Sequence, residues 1–397
     1  HVTLIAAEGY RSLIARWNLE HRGLSGDTER MMQSPEIRAA MEKGFLATHH
    51  VMIEHATRLN RQWMAEAHEH AHDAEMLIAG FGGLFVAQAI AEKRGIPVMQ
   101  AHLQPLSATR EYPGVLSWHA LAGWGAHNLL THWLTRQVFW QPLRSGINAA
   151  RAEVLGLPPA SFWGNAGVWR PGDPPVLHGY SPTLLPRPRD WQGDIHVTGY
   201  WFVDPAADWQ PPEGLSAFLD SGPPPVAIGF GSMSSQDAEA TARLVLEAVE
   251  SVGHRVVLLS GWGGLSTRDL PPWAYLVESV PHAWLYPRCA AVVHHGGAGT
   301  TGAGLRAGIP SVIVPFAADQ PFWAWIVGKR GCGVSPGSRG RLTPSKLAEA
   351  LRRATTDRAM MDRAAEVGRA IRAEDGVGNA VAHLQRFLNQ RTTVQAS

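Results

Sequence analysis

The sequence predicts an α/β protein built as two doubly wound halves, and three observations carry that expectation. Short, uncharged strand candidates alternate with helical segments through residues 226–316, the pattern of a parallel sheet covered by helices on both faces. A proline-rich stretch from Trp201 to Gly214, containing DPAADWQPPEG, separates that region from an earlier one of similar character. The chain has 397 residues, enough for about two domains.

Taken in order, the first half offers strands at Val2–Ala6, Met76–Ala79 and Pro97–Gln100, with helical segments from about Pro35 to Ala71 and from Phe85 to Lys93. In the second half Val226–Phe230, Val256–Ser260, Ala274–Val280, Ala290–Val293 and Pro310–Pro315 read as strands, too uniformly apolar to have a solvated face. Between the first two, Asp237–Val252 reads as a helix. Its Ala242, Val245, Val249 and Val252 share one face, and Gly253 stops it.

Composition excludes several function classes. A formal charge of +1 implies no strongly basic face, so nucleic acid is not the expected partner. Two cysteines, Cys289 and Cys332, cannot build a disulfide framework, and a reducing cytoplasm is the default expectation. No segment has the apolar length of a membrane span and no signal peptide is visible. The expectation is a soluble protein with no membrane span; peripheral contact with a membrane finds no support in a basic face.

The most informative stretch is AVVHHGGAGTTGAGLRAGIPSVIVPFAADQ, residues 291–320. A buried strand runs into His294, His295, Gly296, Gly297, Ala298 and Gly299, and a helix begins near Thr300. Glycines let the backbone approach an anion, and a helix start offers unpaired N–H groups and the positive end of its dipole. A phosphate or diphosphate suits such a turn, with His295 and the Thr300 and Thr301 hydroxyls as further donors. His294, directly after the strand, reads as a satisfied structural group. The next strand delivers Asp319 and Gln320 to the same sheet edge, where a carboxylate and an amide can read sugar hydroxyls. Pro321 suits the first turn of the following helix, leaving that pair in the loop; Asp319 can also act as its N-cap.

With these residues in view, HHGGAGTT followed by AGIPSVIVPFAADQ resembles the nucleotide-sugar signature of inverting GT-B glycosyltransferases, in the sterol glucosyltransferase and glycopeptide-antibiotic glycosyltransferase branch. PPPVAIGFGSM (223–233), LLSGWGG (258–264), VESVPHAWLYPRCAAVVHHGG (277–297) and HVTGYWF (196–202) extend the likeness over nearly the whole carboxyl half. GFGGLFVAQAIAEKRGIPVMQAHLQPLSATREYP (80–113) extends it into the amino half.

The resemblance implies the GT-B fold: two Rossmann-like doubly wound domains facing a cleft. Residues 1–205 would bind the acceptor, 206–378 the donor, and 379–397 would form a helix crossing back, with Asn379–Asn389 as its candidate. It further implies diphosphate contacts from Gly231, Ser232, His295, Gly297, Ala298, Gly299 and Thr300. Trp262 would stack on the base and the Val280 backbone would meet the base edge; Ser279 and Val280 stand where plant relatives usually carry a tryptophan. Asp319 and Gln320 would hold the sugar.

The activity implied is transfer of a hexose, with glucose the expected one, from a UDP- or TDP-sugar to a hydrophobic sterol, hopanoid, polyketide or terpenoid. The nucleotide sugar is a co-substrate; no cofactor is expected, and no acidic pair of the DxD type stands near the donor motif to hold a metal. In that branch the general base lies in a turn after a first strand. Val2–Ala6 corresponds instead to the second strand, so no residue of this sequence matches the base; His50 and His102 are histidines of the acceptor half to test by mutation. The tryptophan-rich segment Val115–Leu143 is the expected acceptor wall, against an alternative as an ordinary helix pair in the core. Two other classes remain open, a nucleotide-sugar epimerase and a catalytically silent nucleotide-sugar binder. A rival motif, His68-Glu69-His70-Ala71-His72, has the H-E-x-x-H spacing of zinc peptidases with Glu92 as a third ligand, but it is polar on almost every side.

Overall fold

The computed structural model describes residues 1–26, 36, 45–117, 125–164, 168–206, 208–230, 238–259 and 270–395. Its strands are β1 (Thr3–Ala7), β2 (Glu20–Leu24), β3 (Leu77–Ala79), β4 (Val98–His102), β5 (Val176–His178) and β6 (Ile195–Val197) in the first half. The second half holds β7 (Val226–Gly229), β8 (Val256–Leu259), β9 (Ala274–Val277), β10 (Ala291–His294), β11 (Ser311–Ile313) and β12 (Gly333–Val334). Every strand pairing among the described residues is parallel.

The second half is a single six-stranded sheet in the order β9-β8-β7-β10-β11-β12. Counted from β7 as the first strand, that is 3-2-1-4-5-6, the order of a dinucleotide-binding domain, whose direction of winding reverses between strands 1 and 4. The reversal falls between β7 and β10, which pair from Val226–Ala291 to Gly229–His294. Both faces of the sheet are covered. Val226 and Ile228 pack with Ala242, Val245 and Val249 of the helix Ala238–Ser251 and with Leu347 and Leu351 of the helix Pro344–Thr356. Ala227, between them, faces the opposite side with Val257, Val292, Leu215 and Leu285. Alternate residues of one strand thus enter two cores, which is why β7 and β8 carry no polar side chain; each valine or isoleucine so buried contributes roughly 1.5–3 kcal/mol.

The first half departs from one continuous doubly wound sheet. β3-β4-β5-β6 form a four-stranded sheet, and β1-β2 form a separate pair. An apolar cavity of about 540 Å³ lies between them, walled by Ile5 of β1, Leu24 of β2, Leu77 and Ile78 of β3, and Ala71. The edges of β1 and β3 therefore stand apart instead of pairing. β2, β5, β6 and β12 are strands the sequence did not suggest. β2 reads EHRGL, with three polar residues in five positions, and β5, β6 and β12 are two or three residues long.

The two halves share one core. Tyr112, Tyr180 and Leu184 of the first half cluster with Leu305, Phe322 and Trp323 of the second, and Arg330 Nε donates to the Leu184 carbonyl at 2.6 Å. The last helix, Gly376–Gln395, starts earlier than the segment Asn379–Asn389 and contacts the first half: Asn379 Nδ2 donates to the Thr198 carbonyl at 3.0 Å, and the His383 ring stacks on His196. Just ahead of it, Glu374 accepts from the Ser181 and Thr183 hydroxyls at 2.6 and 2.9 Å.

Candidate active site

β10 ends at the switch point of the sheet and delivers HHGG there. His294 is fully buried, and its Nδ1 accepts from the Gly296 backbone N–H at 3.0 Å. Burial pushes its imidazole down to about 3, so it is a neutral acceptor that shapes the turn, but its Nε2 has no hydrogen-bond partner among the described residues, so it is not the satisfied group the sequence suggests. Gly296 has φ +96, which favours glycine, and a Cβ there would meet Ile313 Cγ2 at 2.7 Å.

His295 is half-buried, and burial lowers its pKa, leaving a neutral imidazole as hydrogen-bonding group. Its ring lies over Gly297, where a Cβ would come within 2.5 Å of His295 Nε2; Gly297 keeps that ring in place. The helix begins at Ala298, two residues before Thr300, and Gly297 is its N-cap with no side-chain cap bond. The backbone N–H groups of the first turn therefore have no intrahelical acceptor. Three buried side-chain atoms of this turn and helix, His294 Nε2, His295 Nδ1 and Thr301 Oγ1, have no hydrogen-bond partner among the described residues. Buried polar atoms ordinarily find one. Neutral donors, helix N–H groups and orphaned polar atoms converge here, the requirements of a bound oxyanion.

Beside this corner opens a cavity of about 800 Å³, lined among others by Pro281, His282, Trp284, Gly299, Ala303 and Arg306. Gly299 is exposed and a Cβ on it would meet nothing within 4 Å. His282 stacks on Tyr286 at 4.6 Å and 9°, and burial with the nearby His295 lowers its pKa to about 4. Sequence reading passed over His282 as a site residue; its place two residues after Val280 was the available signal. Val280 is buried in the core, so only its backbone can serve a ligand. Gly231, Ser232 and Trp262 lie outside the described residues. The strands leading to those segments, β7 and β8, end at the same edge as β10.

Asp319 occupies the N-cap position of the helix Gln320–Lys329 but makes no capping bond. Its Oδ2 instead accepts from Trp323 Nε1 at 3.0 Å. Burial raises its pKa, while hydrogen bonds from Trp323 and from the Gln104 side chain, which belongs to the first half, act in the opposite direction. Gln320 differs from the expectation. It opens the helix instead of lying in the loop, is 6% exposed, and its Oε1 accepts from the Phe316 and Ala317 backbone N–H groups at 2.7 and 3.0 Å. Its carbonyl is committed to holding the loop, so only its NH₂ remains to meet a sugar.

Across from Asp319, the 540 Å³ cavity of the first half is lined by Trp63, Phe81, Leu103 and Gln104. Among the described residues, none of the segment Val115–Leu143 lies on its lining. Trp140 is buried and donates to the Phe162 carbonyl at 2.9 Å, Trp133 lies 5.5 Å from Trp163, and Trp118 and Trp124 lie outside the described residues. The segment reaches the cavity through Phe139, whose ring is 4.5 Å from Phe81. His102 is buried, bonded to Gln100 Oε1 at 3.2 Å and driven by burial to about 4; it does not line the cavity. The His50 side chain lies outside the described residues.

The zinc-peptidase reading fails on geometry. The helix Phe45–His70 ends before His72, whose Nδ1 pairs with the Glu69 carbonyl at 3.0 Å, and Glu92 is taken by Arg151 at 2.9 Å. Among the described residues one group gathers enough ligand atoms for a metal: Asp194, His196 and His383. The two imidazoles stack face to face, 3.5 Å apart and 24° from parallel. Ring lone pairs lie in the ring planes, so nearly parallel stacked rings cannot both point at one ion. Asp194 pairs with His196 instead.

This architecture is the GT-B fold of glycosyltransferases. The glycosyltransferase of kitacinnamycin superposes with a TM-score of 0.69 over 98% of this chain and 92% of that one, at 17% identity. VinC, a glycosyltransferase crystallised with DTDP, does so at 0.60 over 97% and 92%, at 21% identity. Residues 243–384 match the family described as "Erythromycin biosynthesis protein CIII-like, C-terminal domain". O-mycaminosyltylonolide 6-deoxyallosyltransferase of Streptomyces fradiae is 36% identical over 99% of this chain and 92% of its own length. The chain belongs to this family of glycosyltransferases. A sterol 3-beta-glucosyltransferase of Cryptococcus neoformans is 33% identical over 99% of this chain, which spans only 26% of that longer protein. No helix among the described residues is long and apolar enough to cross a membrane.

Proposed function

We propose that the protein is an inverting glycosyltransferase moving a hexose from a UDP- or TDP-sugar to a hydroxyl of an apolar small molecule. The observation that carries this reading is an anion-binding corner in one half and an apolar cavity in the other, joined by Asp319. The corner holds the orphaned polar atoms and the helix start at the switch point, and the cavity has on its wall Gln104, whose side chain hydrogen-bonds Asp319. The acceptor oxygen attacks the anomeric carbon, the bond from that carbon to the diphosphate oxygen breaks, and the nucleoside diphosphate leaves with the electron pair. The acceptor proton passes to a base that this reading assigns to no residue of the chain. The leaving charge is met by the N-terminus of the helix Ala298–Ala307 and by neutral His295, donors fixed before the reaction begins. The nucleotide sugar is a co-substrate, and the reading calls for no cofactor.

The apolar cavity also favours transfer over epimerisation, since an epimerase has no second substrate to bind. The relatives named for a sterol and for a macrolide-type acceptor support an acceptor of that apolar class. Mass spectrometry of reactions with UDP-glucose and TDP-glucose against a panel of sterols and polyketide alcohols tests the proposal. The expected product is acceptor plus one hexose, with the anomeric configuration opposite to the donor's. Consumption of the sugar nucleotide to an isomer without any acceptor, or no consumption by protein that binds nucleotide, would overturn it.

A further inference from the structure

The first half of the helix Gly125–Ala150 is inside out. Asn128, Thr131, His132, Thr135 and Gln137 are buried, whereas Leu130, Leu134 and Val138, spaced four residues apart on the other face, are 51%, 44% and 57% exposed. The buried polar side has a local purpose. Asn128 Nδ2 donates to the Arg110 carbonyl at 2.7 Å, Thr131 Oγ1 accepts from Gly114 N–H at 2.9 Å, and Gln137 Nε2 donates to the Trp163 carbonyl at 2.9 Å. The apolar side has none among the described residues, and an aliphatic stripe left in water forgoes the burial that normally orients a helix.

Two aromatics widen the stripe. Phe162 and Trp163 are 50% and 51% exposed, and Trp163 lies 5.5 Å from Trp133 of the same helix. Charge on this element has one sign. Residues 112–152 contain no Asp or Glu, while the half-exposed Arg144 holds its guanidinium 4.4 Å above the Phe162 ring at the edge of the stripe. Aliphatic side chains edged by tryptophan and arginine, without a carboxylate, match the boundary between the headgroups and acyl chains of an anionic bilayer.

We propose that this face, Leu130, Leu134, Val138, Phe162 and Trp163, docks the protein reversibly on an anionic phospholipid surface. The docking stands apart from the transfer reading and needs no catalytic step. Phe139 of the same helix packs its ring 4.5 Å from Phe81 on the wall of the apolar cavity.

The test is co-sedimentation of the full chain with vesicles of phosphatidylcholine alone or mixed with phosphatidylglycerol, for wild type and for the triple variant Leu130→Ser, Leu134→Ser, Val138→Ser. All three positions are exposed, so the variant is expected to keep its circular dichroism and thermal midpoint. Wild type should bind the anionic vesicles, less at high salt, and the variant's binding should fall by at least about tenfold. Quenching of tryptophan fluorescence by brominated lipid should weaken in Trp163→Phe, a readout that does not depend on the triple variant. Absence of wild-type binding to anionic vesicles, or equal binding by the folded variant, overturns the proposal. Light scattering that shows a wild-type dimer which the variant splits overturns it as well, because the face would then be a protein interface.

Discussion

Trp323 Nε1 donates to Asp319 Oδ2 across 3.0 Å, from one turn further along the helix that Asp319 precedes. The indole is itself fully buried in the core shared by both halves. The carboxylate facing the cleft is therefore oriented by the packing that holds the two halves together, and it cannot shift without disturbing that packing. Trp323→Phe keeps most of the ring volume and removes the donor. It should cost about 1.5–3 kcal/mol in urea unfolding, the range for a hydrogen bond to a charged group, and should lower transfer as well. An unchanged unfolding midpoint would show that the bond does not stabilise the fold.

Asp319 carries a pKa raised above 3.8 by burial. A carboxyl raised in the folded state binds its proton more tightly there than in the unfolded chain, so its contribution to stability is lost as pH rises through the folded value. Asp319→Asn should consequently be more stable than wild type at pH 7, with the difference gone below about pH 4, the unfolded range. The same variant should lose transfer by roughly 100-fold or more, as expected when a sugar-orienting contact is removed. Thermal melts at the two pH values, beside initial rates, decide it; a variant less stable than wild type at pH 7 refutes the sign.

His295 is held neutral by its surroundings, and its proposed part is to donate from a ring nitrogen to the leaving diphosphate. Its lowered pKa implies that transfer shows no acid limb near pH 6.5 arising from this group. His295→Ala should reduce kcat by about 100- to 1000-fold, the usual loss for one preorganised donor, with His295→Gln recovering part of it. A wild-type acid limb near pH 6.5 that vanishes in His295→Gln would mean that the imidazole works as a cation.

Gly299 and Gly297 separate ligand space from packing. A side chain at Gly299 meets nothing within 4 Å, whereas one at Gly297 collides with His295. Gly299→Leu should fold with a wild-type melting temperature and raise the donor KM about tenfold or more, because the first helical turn would no longer admit close backbone approach. Gly297→Ala should resemble His295→Ala in kcat. Normal donor KM in Gly299→Leu would remove the diphosphate from this turn.

Four buried imidazoles and the half-buried His282 bear on acid stability. His178 and His294 are lowered to about 3, and His102, His132 and His282 to about 4, mainly by burial. Each is neutral in the folded protein and would charge near 6.5 when unfolded. Unfolding therefore takes up protons below pH 6.5, and stability present above that value is lost as pH falls towards 4. Urea midpoints should drop steeply from pH 7 to pH 5, with an uptake approaching roughly five protons per molecule. A flat profile across that window would contradict the neutral burial of these groups.

What the sequence determined by itself is the local grammar of the second half. Uniformly apolar strands, the HHGG turn, the helix behind it and the arrival of Asp319 follow from hydrogen-bonding periods and backbone freedom that neighbouring residues settle among themselves. Even there its resolution is limited. The helix starts at Ala298 rather than near Thr300, and strands of two or three residues such as β5, β6 and β12 carry too few side chains to show a period.

The tertiary structure alone decided which surfaces meet. It set β10 beside β7 at the reversal, turned the Gln320 carbonyl inward to its own loop, and brought Gln104 of one half to Asp319 of the other. It also placed the polar stripe of the helix Gly125–Ala150 inside and the apolar one outside. A period of 3.6 residues reveals that a helix has two faces; which face is buried depends on partners brought together from distant parts of the chain.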